Sequence, residues 1–269
     1  MPDIVSAGNA ENEGATNVKV MLNKGDGTFK TPTNYVVGRG PSKLALGDLD
    51  GQGGPDLVAA DYMGIRVLLN TGKGTFATPV SYGGGEAKSL ALGDLDADGK
   101  TDLVLGTVTP LAVQVLLGKG DGTFGAPLVT AVDGWPMSLA LGDVDGNGKL
   151  DLVVATGEVT ILSGMGDGTF AKPVTFPAGS SVEGVVLGDV DLDGFADLVV
   201  TNYLSASTRI FFGKGDGTFE GRVAFDIGNF PIIPTIADFN ADGRPDVVTC
   251  DNGANSLSVL LGACATAEH

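Results

Sequence analysis

The chain has 269 residues and a formal net charge of −17, from 33 Asp and Glu against 16 Lys and Arg. That surplus excludes nucleic acid and anionic lipid surfaces as partners, because both require a basic face. Hydrophobic residues at 43% exclude an acidic disordered chain, and a single histidine, the terminal His269, excludes His-based catalytic triads and His-ligated zinc. The 43 glycines follow no collagen period and stand beside many short apolar runs, the composition of an all-β protein rich in tight turns. The longest nearly uncharged stretch, Leu103 to Gly118, is interrupted by Pro110 and Gln114, so no membrane insertion is expected.

Met1 to Val5 reads as the start of a strand rather than as a signal peptide, and Pro2-Asp3-Ile4-Val5 matches Pro55-Asp56-Leu57-Val58. Residues 1–43 are therefore expected to form a partial unit that begins at a second strand. The first whole unit starts near residue 44. Its first strand, Lys43 to Gly47, leads into an acidic loop, and its second strand runs from Asp56 to Ala60. A third strand, Ile65 to Leu69, precedes a Gly-x-Gly-Thr-Phe turn, and a fourth follows it from Ala77 to Tyr82. The pattern restarts near 90 (Ser89 to Gly93, Asp102 to Gly106, Val113 to Leu117), 139, 185 (third strand Thr208 to Phe212) and 234. After the last third strand, Ser256 to Gly262, no Gly-x-Gly-Thr-Phe appears.

Two markers keep this period. Leu-Gly-Asp-Leu-Asp variants begin their acidic loops at Asp48, Asp94, Asp143, Asp189 and Asp238, 46 to 49 residues apart. The turn ends at Phe29, Phe76, Phe124, Phe170 and Phe219, also 46 to 49 apart. No sustained helical period competes with these strands. A tandem array of four-stranded units is the signature of a β-propeller, here a single domain over residues 1–269. Five first, six second, six third and five fourth strands are expected. Two readings fit that tally: about six blade-like repeats with an imperfect seam, or part of a seven-bladed ring.

The acidic loop reads Asp-x-Asp-x-Asp-Gly-x-x-Asp. Its polar positions are Asp48, Asp50, Gln52 and Asp56; Asp94, Asp96, Asp98 and Asp102; Asp143, Asp145, Asn147 and Asp151; Asp189, Asp191, Asp193 and Asp197; and Asp238, Asn240, Asp242 and Asp246. Every substitution keeps a side-chain oxygen, which is what Ca²⁺, with its six to eight oxygen ligands, demands. Glycine at the sixth position lets the backbone fold back around an ion, and the seventh carbonyl is a further expected ligand. An EF-hand opens in the same way but needs a glutamate at the twelfth position and flanking helices. Here the twelfth residues are Ala59, Leu105, Val154, Val200 and Thr249, between strands, so that reading fails. About five Ca²⁺ sites are expected. The five loops hold seventeen aspartates, equal in number to the formal charge excess.

The segment Leu92-Gly93-Asp94-Leu95-Asp96-Ala97-Asp98-Gly99-Lys100-Thr101-Asp102-Leu103-Val104 resembles the FG-GAP, or VCBS, repeat of the integrin α-subunit propeller and of many secreted bacterial and fungal propellers. The resemblance extends over essentially the whole chain. It implies a Ca²⁺ ion between the first and second strands of each blade and an extracellular location. Gln52 departs from the pattern and weakens its site, and a sixth loop is missing. The family includes adhesion modules, lectins and polysaccharide lyases, so membership alone does not define an activity.

The connections from second to third strands, and from fourth strands to the next first strand, vary most and are the expected binding face. They hold Asp61, Tyr62, Tyr82, Glu86, Trp135, Asn202, Tyr203, Phe230, Asp251 and Asn252. Aromatic rings beside Asn and Asp suit a sugar face and its hydroxyls, although central-channel or inter-blade packing is an equally open role for Trp135. Tyr62 and Tyr203 carry the same two readings. No catalytic constellation emerges: there is no nucleophile elbow, no phosphate loop and no paired cysteines at metal spacing. The expectation is a non-catalytic binding or adhesion module for a glycan or an extracellular protein. The alternatives are a structural part of a larger secreted enzyme or a polysaccharide-lyase-type propeller. Cys250 and Cys264 are close enough in sequence to pair, but nothing in the sequence decides it.

Overall fold

The computed structural model describes residues 2–8, 16–38, 40–82 and 85–262. The strands fall into two compact units, Met1–Ala131 and Val132–His269.

The first unit opens with a three-stranded sheet of β1 (Ile4–Gly8), β2 (Thr16–Met21) and β3 (Thr33–Gly38). A four-stranded sheet follows, with β4 (Lys43–Gly47), β5 (Asp56–Asp61), β6 (Gly64–Leu68) and β9 (Val80–Tyr82), and a short hairpin of β7 (Asn70–Gly72) and β8 (Thr75–Phe76) lies between its last two strands in sequence. The next sheet contains β10 (Ala87–Gly93), β11 (Asp102–Val108), β12 (Leu111–Leu116) and β13 (Leu128–Ala131).

The second unit holds two more four-stranded sheets. One is β14 (Ser138–Gly142), β15 (Asp151–Ala155), β16 (Val159–Leu162) and β17 (Val174–Phe176). The other is β18 (Val182–Gly188), β19 (Asp197–Asn202), β20 (Ser207–Gly213) and β21 (Phe219–Asp226). It ends on three strands, β22 (Pro231–Ala237), β23 (Asp246–Asp251) and β24 (Ser256–Leu260). Every sheet is an antiparallel meander in sequence order, and no helix occurs among the described residues. These are the four-stranded, blade-like repeats of an all-β propeller protein, with a three-stranded sheet first and last, as the strand tally requires.

Second strands read as unbroken apolar runs rather than alternating ones, because both of their faces are covered. Every residue of β5, β15 and β19 is buried. Facing layers of neighbouring sheets form the cores. Val58, Ile65 and Val67 of one sheet pack with Leu103, Leu105 and Leu116 of the next, and Val153, Val159 and Ile161 pack with Leu198, Val200 and Phe211.

Fourth strands are shorter than the sequence indicates. β3, β9, β13 and β17 each start immediately after a proline (Pro32, Pro79, Pro127, Pro173), whose missing N–H cannot enter the ladder. In the remaining sheet Arg222 stands at that position, and β21 runs uninterrupted from Phe219.

Three of the five turn phenylalanines pack on an aromatic of the preceding sheet's fourth strand. Phe76 meets Tyr35, Phe124 meets Tyr82 and Phe219 meets Phe176, each edge-on at ring-centroid distances of 5.5, 5.5 and 5.6 Å. The Phe76 amide donates to the Tyr35 hydroxyl (3.1 Å), and the Tyr82 hydroxyl donates to the Gly122 carbonyl (3.3 Å).

Candidate metal centres and the opposite strand ends

Each acidic loop is closed by the last residue of a first strand facing the loop's ninth residue: Gly47 with Asp56, Gly93 with Asp102, Gly142 with Asp151, Gly188 with Asp197 and Ala237 with Asp246. Positive φ at the sixth residue (Gly53, Gly99, Gly148, Gly194, Gly243, φ 79 to 94°) makes the return bend, with open space where a Cβ would lie. The fourth residue is also left-handed, and three loops place a non-glycine there: Ala97 (57°), Leu192 (67°) and Ala241 (62°). The bend aims backbone amides inward. Gly99 donates to Asp94 Oδ2 (2.9 Å) and Asp98 to Asp94 Oδ1 (3.1 Å), with counterparts at Asp143, Asp189 and Asp238. The Gln52 loop differs in that Gly51, the fourth residue, rather than the fifth donates to Asp48 Oδ1 (2.8 Å).

The first, third and ninth aspartates converge. Asp48, Asp50 and Asp56 each bring one carboxylate oxygen within 4.8 Å of the other two, and so do Asp94, Asp96 and Asp102; Asp143, Asp145 and Asp151; and Asp189, Asp191 and Asp197. Oxygens around a cation at about 2.4 Å are at most about 5 Å apart, so these donor sets fit a shared Ca²⁺. The fifth loop places Asn240 at the third position, beside Asp238 and Asp246, and Asn240 Nδ2 donates to Asp242 Oδ2 (3.0 Å). The fifth-position aspartates Asp98 and Asp193 are not part of these groupings. Asp98 instead pairs with the Lys100 ammonium, which holds its carboxyl below the usual value, and Asp193 accepts the Phe195 amide (2.8 Å).

The ninth aspartate has a second task that residue spacing does not reveal. It is fully buried and accepts two backbone amides. One is from the residue after the first aspartate (Leu49, Leu95, Val144, Val190, Phe239) and the other from the end of the third strand (Asn70, Gly118, Gly164, Gly213, Gly262), all at 2.6 to 2.9 Å. A carboxylate has about four lone-pair sites, so two remain for an ion. Burial, followed by the neighbouring Asp94 and Asp96 charges, pushes Asp102 above the ordinary carboxylate value, and Asp151 and Asp197 behave alike.

The two sequence markers meet between neighbouring sheets. Gly122 of one turn donates to the Leu49 carbonyl in the preceding acidic loop, and Gly217 to the Val144 carbonyl, both at 2.9 Å. In four turns the central aspartate (Asp26, Asp121, Asp167, Asp216) accepts both the amide and the hydroxyl of the following threonine. Lys73 replaces it in the remaining turn, the second in chain order, where it adopts φ 55° within the β7–β8 hairpin.

At the other strand ends, burial separates the candidate ligand residues into two groups. Asp61, Asn202 and Asp251 are buried, and they belong to a periodic polar tier five residues after each ninth aspartate, completed by Thr107 and Thr156. Asp61 lies 3.5 Å from Arg66, Gln114 donates to Thr107 (3.2 Å), Thr156 meets Thr160 (3.3 Å) and Ser258 donates to Asp251 (2.6 Å). Neither amide atom of Asn202 has a partner among the described residues. The constant spacing was a readable signal for this tier. Tyr62, Trp135 and Phe230 are exposed, at 60, 58 and 42%. Tyr203 is half-buried and stacks on Phe230 at 4.7 Å and 24°, and Phe230 itself adopts a left-handed φ of 56°. Tyr82 belongs to the inter-sheet contact with Phe124, and Glu86 pairs with Lys88 (2.6 Å). Asn252 donates its amide to the Phe230 carbonyl (3.1 Å). Cys250 is exposed in β23, and Cys264 lies outside the described residues.

Meander blades whose first and second strands are joined by repeated aspartate loops define a propeller-type repeat protein. The chain belongs to the FG-GAP-like repeat family, whose model matches residues 1–58, 48–105, 94–154, 153–200 and 189–249. A comparison with curated protein sequences finds no significant match. Among solved structures, the chain is similar to an Agrocybe aegerita lectin studied for specific recognition of non-reducing terminal N-acetylglucosamine (17% identity, TM-score 0.65, 97% of this chain and 80% of that one). It is also similar to a Bacteroides uniformis protein provisionally assigned as a 6-phosphogluconolactonase (14% identity, TM-score 0.72, 96% and 77%). A third similarity is to the Photorhabdus luminescens Tc holotoxin pore (19% identity, TM-score 0.52, 97% of this chain and 13% of that one). At these identities the likeness is one of fold.

Proposed function

We propose that this protein is a calcium-stabilised, extracellular binding module that carries out no catalysis and takes a glycan as its ligand. The ligand reading is carried by the Tyr203–Phe230 stack. An exposed phenylalanine held in a left-handed conformation costs about 1–2 kcal/mol, and such strain gathers at sites where a side chain must be displayed. Stacked rings offer the flat apolar surface that a sugar's C–H face covers, and the buried polar tier fixes the loops that present them. The fold likeness to the N-acetylglucosamine-recognising lectin supports this choice over a protein ligand.

Calcium is supported by the converging carboxylates, whose burial and mutual repulsion call for a counter-ion. Family membership supports it as well. A location outside the cell, where Ca²⁺ is plentiful, follows from the same reading. Most of the aspartates, seventeen of them, lie in the cation loops, which supports the non-catalytic reading. A glycan array probed with and without Ca²⁺ tests the proposal. Binding to a defined glycan class that Phe230→Ala abolishes without lowering the melting temperature supports it. Binding to no glycan, or binding indifferent to Phe230→Ala, contradicts it.

A further inference from the structure

A pair of polar side chains recurs at the strand ends opposite the acidic loops, and one copy of it is unlike the rest. Its first member is the tier residue five places after the ninth aspartate. Its second is the third-strand residue paired with the third place after that aspartate: Arg66, Gln114, Thr160, Arg209 and Ser258. In four repeats the two members bond each other, as in the Asp61–Arg66 ion pair and the Ser258–Asp251 hydrogen bond. The fourth repeat brings Asn202 and Arg209 to these places without a bond between them. Asn202 is fully buried, and its two amide atoms and Arg209 Nε have no hydrogen-bond partner among the described residues.

The surroundings define what is lacking there. Arg209 Nη1 donates to the Ala178 carbonyl (3.0 Å), which leaves Nε and Nη2, the pair along one edge of the planar guanidinium, without a protein acceptor. Among the described residues no carboxylate pairs with this half-buried cation, and a cation taken from water without a counter-charge is costly. A Cβ on Gly179, ten residues before Asp189, would overlap both Asn202 Oδ1 and Arg209 Nη1. A Cβ on Gly38, ten residues before Asp48, would likewise overlap the Asp61 carboxylate. The two places are built alike. In the first unit a carboxylate faces the arginine, and in the second a neutral amide stands in its position.

We infer that Arg209 and Asn202 form a binding site for a carboxylate group, carried by a small acid or by an acidic sugar. The two carboxylate oxygens match the Nε–Nη2 edge as a side-on fork, and Asn202 with Nδ2 turned toward them adds a third donor. A planar monoanion suits a position closed on one side by Gly179, and the net charge of −17 opposes a phosphate dianion more strongly. One carboxylate needs one guanidinium rather than a basic face. The site is separate from the Tyr203–Phe230 stack, since its contacts run to Ala178 and Gly179 ahead of β18, while Phe230 lies ahead of β22.

The test follows the Arg209 Nε–H and Asn202 side-chain amide signals by nuclear magnetic resonance in the full chain at saturating Ca²⁺. The titrants are sodium acetate, sodium glucuronate, glucose and sodium chloride. The expected result is a saturable shift of both signals with acetate and glucuronate, and none with glucose or with chloride at equal ionic strength. Tighter binding of glucuronate than of acetate identifies an acidic sugar as the source of the carboxylate, and equal or weaker binding identifies a free small acid; either supports the site. Asn202→Asp rebuilds the Asp61–Arg66 pairing, so it should fold, raise the melting temperature and weaken acetate binding at least about tenfold, because the new carboxylate repels the incoming one. Arg209→Gln should abolish binding. No saturable shift, the same shift with chloride, or an Asn202→Asp protein that binds acetate as tightly as the unaltered chain would each overturn the inference. Acetate has no sugar ring, so this result stands or falls separately from the glycan proposal.

Discussion

The Gly118 amide donates across sixteen residues to Asp102 Oδ1 at 2.8 Å, while Leu95 donates to the other oxygen of the same carboxylate at 2.7 Å. One buried side chain thus ties the acidic loop to the exits of both the first and the third strands. The ninth aspartate is a structural tie between strands as well as a candidate cation ligand, whereas the fifth-position Asp98 and Asp193 bond only within their own loops, to Lys100 and to the Phe195 amide. Asp102→Ala removes two charge-assisted hydrogen bonds and strands two buried amides, so it is expected to cost about 3 kcal/mol even in chelator. Asp98→Ala, at a solvent-facing position, is expected to change the chelator melt by less than about 0.5 kcal/mol and to reduce only the gain on adding Ca²⁺. Paired thermal melts of the two variants, with and without Ca²⁺, check this.

Buried aspartates give the metal-free protein an unusual pH response. In Asp102, Asp151 and Asp197 the folded-state value lies above the ordinary 3.8, chiefly through burial. The folded state therefore holds protons that the unfolded state has released, and stability falls as pH rises through the window from 3.8 upward. The exposed turn aspartates Asp26, Asp121, Asp167 and Asp216 are lowered by their threonine hydroxyls, so their contribution is present above 3.8 and is lost as pH falls below it. In chelator the melting temperature should rise as pH is lowered toward 3.8 from above. In saturating Ca²⁺ the slope should reverse, because protons compete with the metal. Parallel slopes in the two conditions would contradict this account.

Left-handed backbone at Ala97 and Ala241 costs about 1–2 kcal/mol each, set against the extra chain entropy that glycine loses on folding. Ala97→Gly and Ala241→Gly are each expected to stabilise by about 0.5–1 kcal/mol, read as a rise of roughly 1–4 °C in melting temperature. Gly99→Ala and Gly148→Ala should lower it.

The Tyr82–Phe124 contact holds two sheets of the first unit together. Tyr82→Phe keeps the edge-on packing and loses the hydroxyl's bond to Gly122, an expected cost of about 1 kcal/mol. Tyr82→Ala loses the ring as well, at about 3–5 kcal/mol. Denaturant melts of the two variants separate the terms.

How much was legible in the sequence follows from the range of each signal. Strand order, the sheet tally and the acidic loops repeat within a single unit, so a fixed period exposes them. The Tyr35–Phe76, Tyr82–Phe124 and Phe176–Phe219 contacts join one unit to the next and have no local signature. Asp61, Asn202 and Asp251 sit beside loops, as ligand contacts do, and their constant offset from Asp56, Asp197 and Asp246 places them in a buried tier. Asp98 and Asp193 fit the cation pattern by residue type, and their bonds to Lys100 and to the Phe195 amide depend on neighbours that the pattern does not specify.

The central claim, that cations hold the acidic loops together, is tested most directly by thermal unfolding at about 1 mM Ca²⁺ against excess EDTA. Five sites contributing about 1.4 kcal/mol each would raise the melting temperature by more than about 10 °C. An identical melt in Ca²⁺ and in EDTA would contradict it.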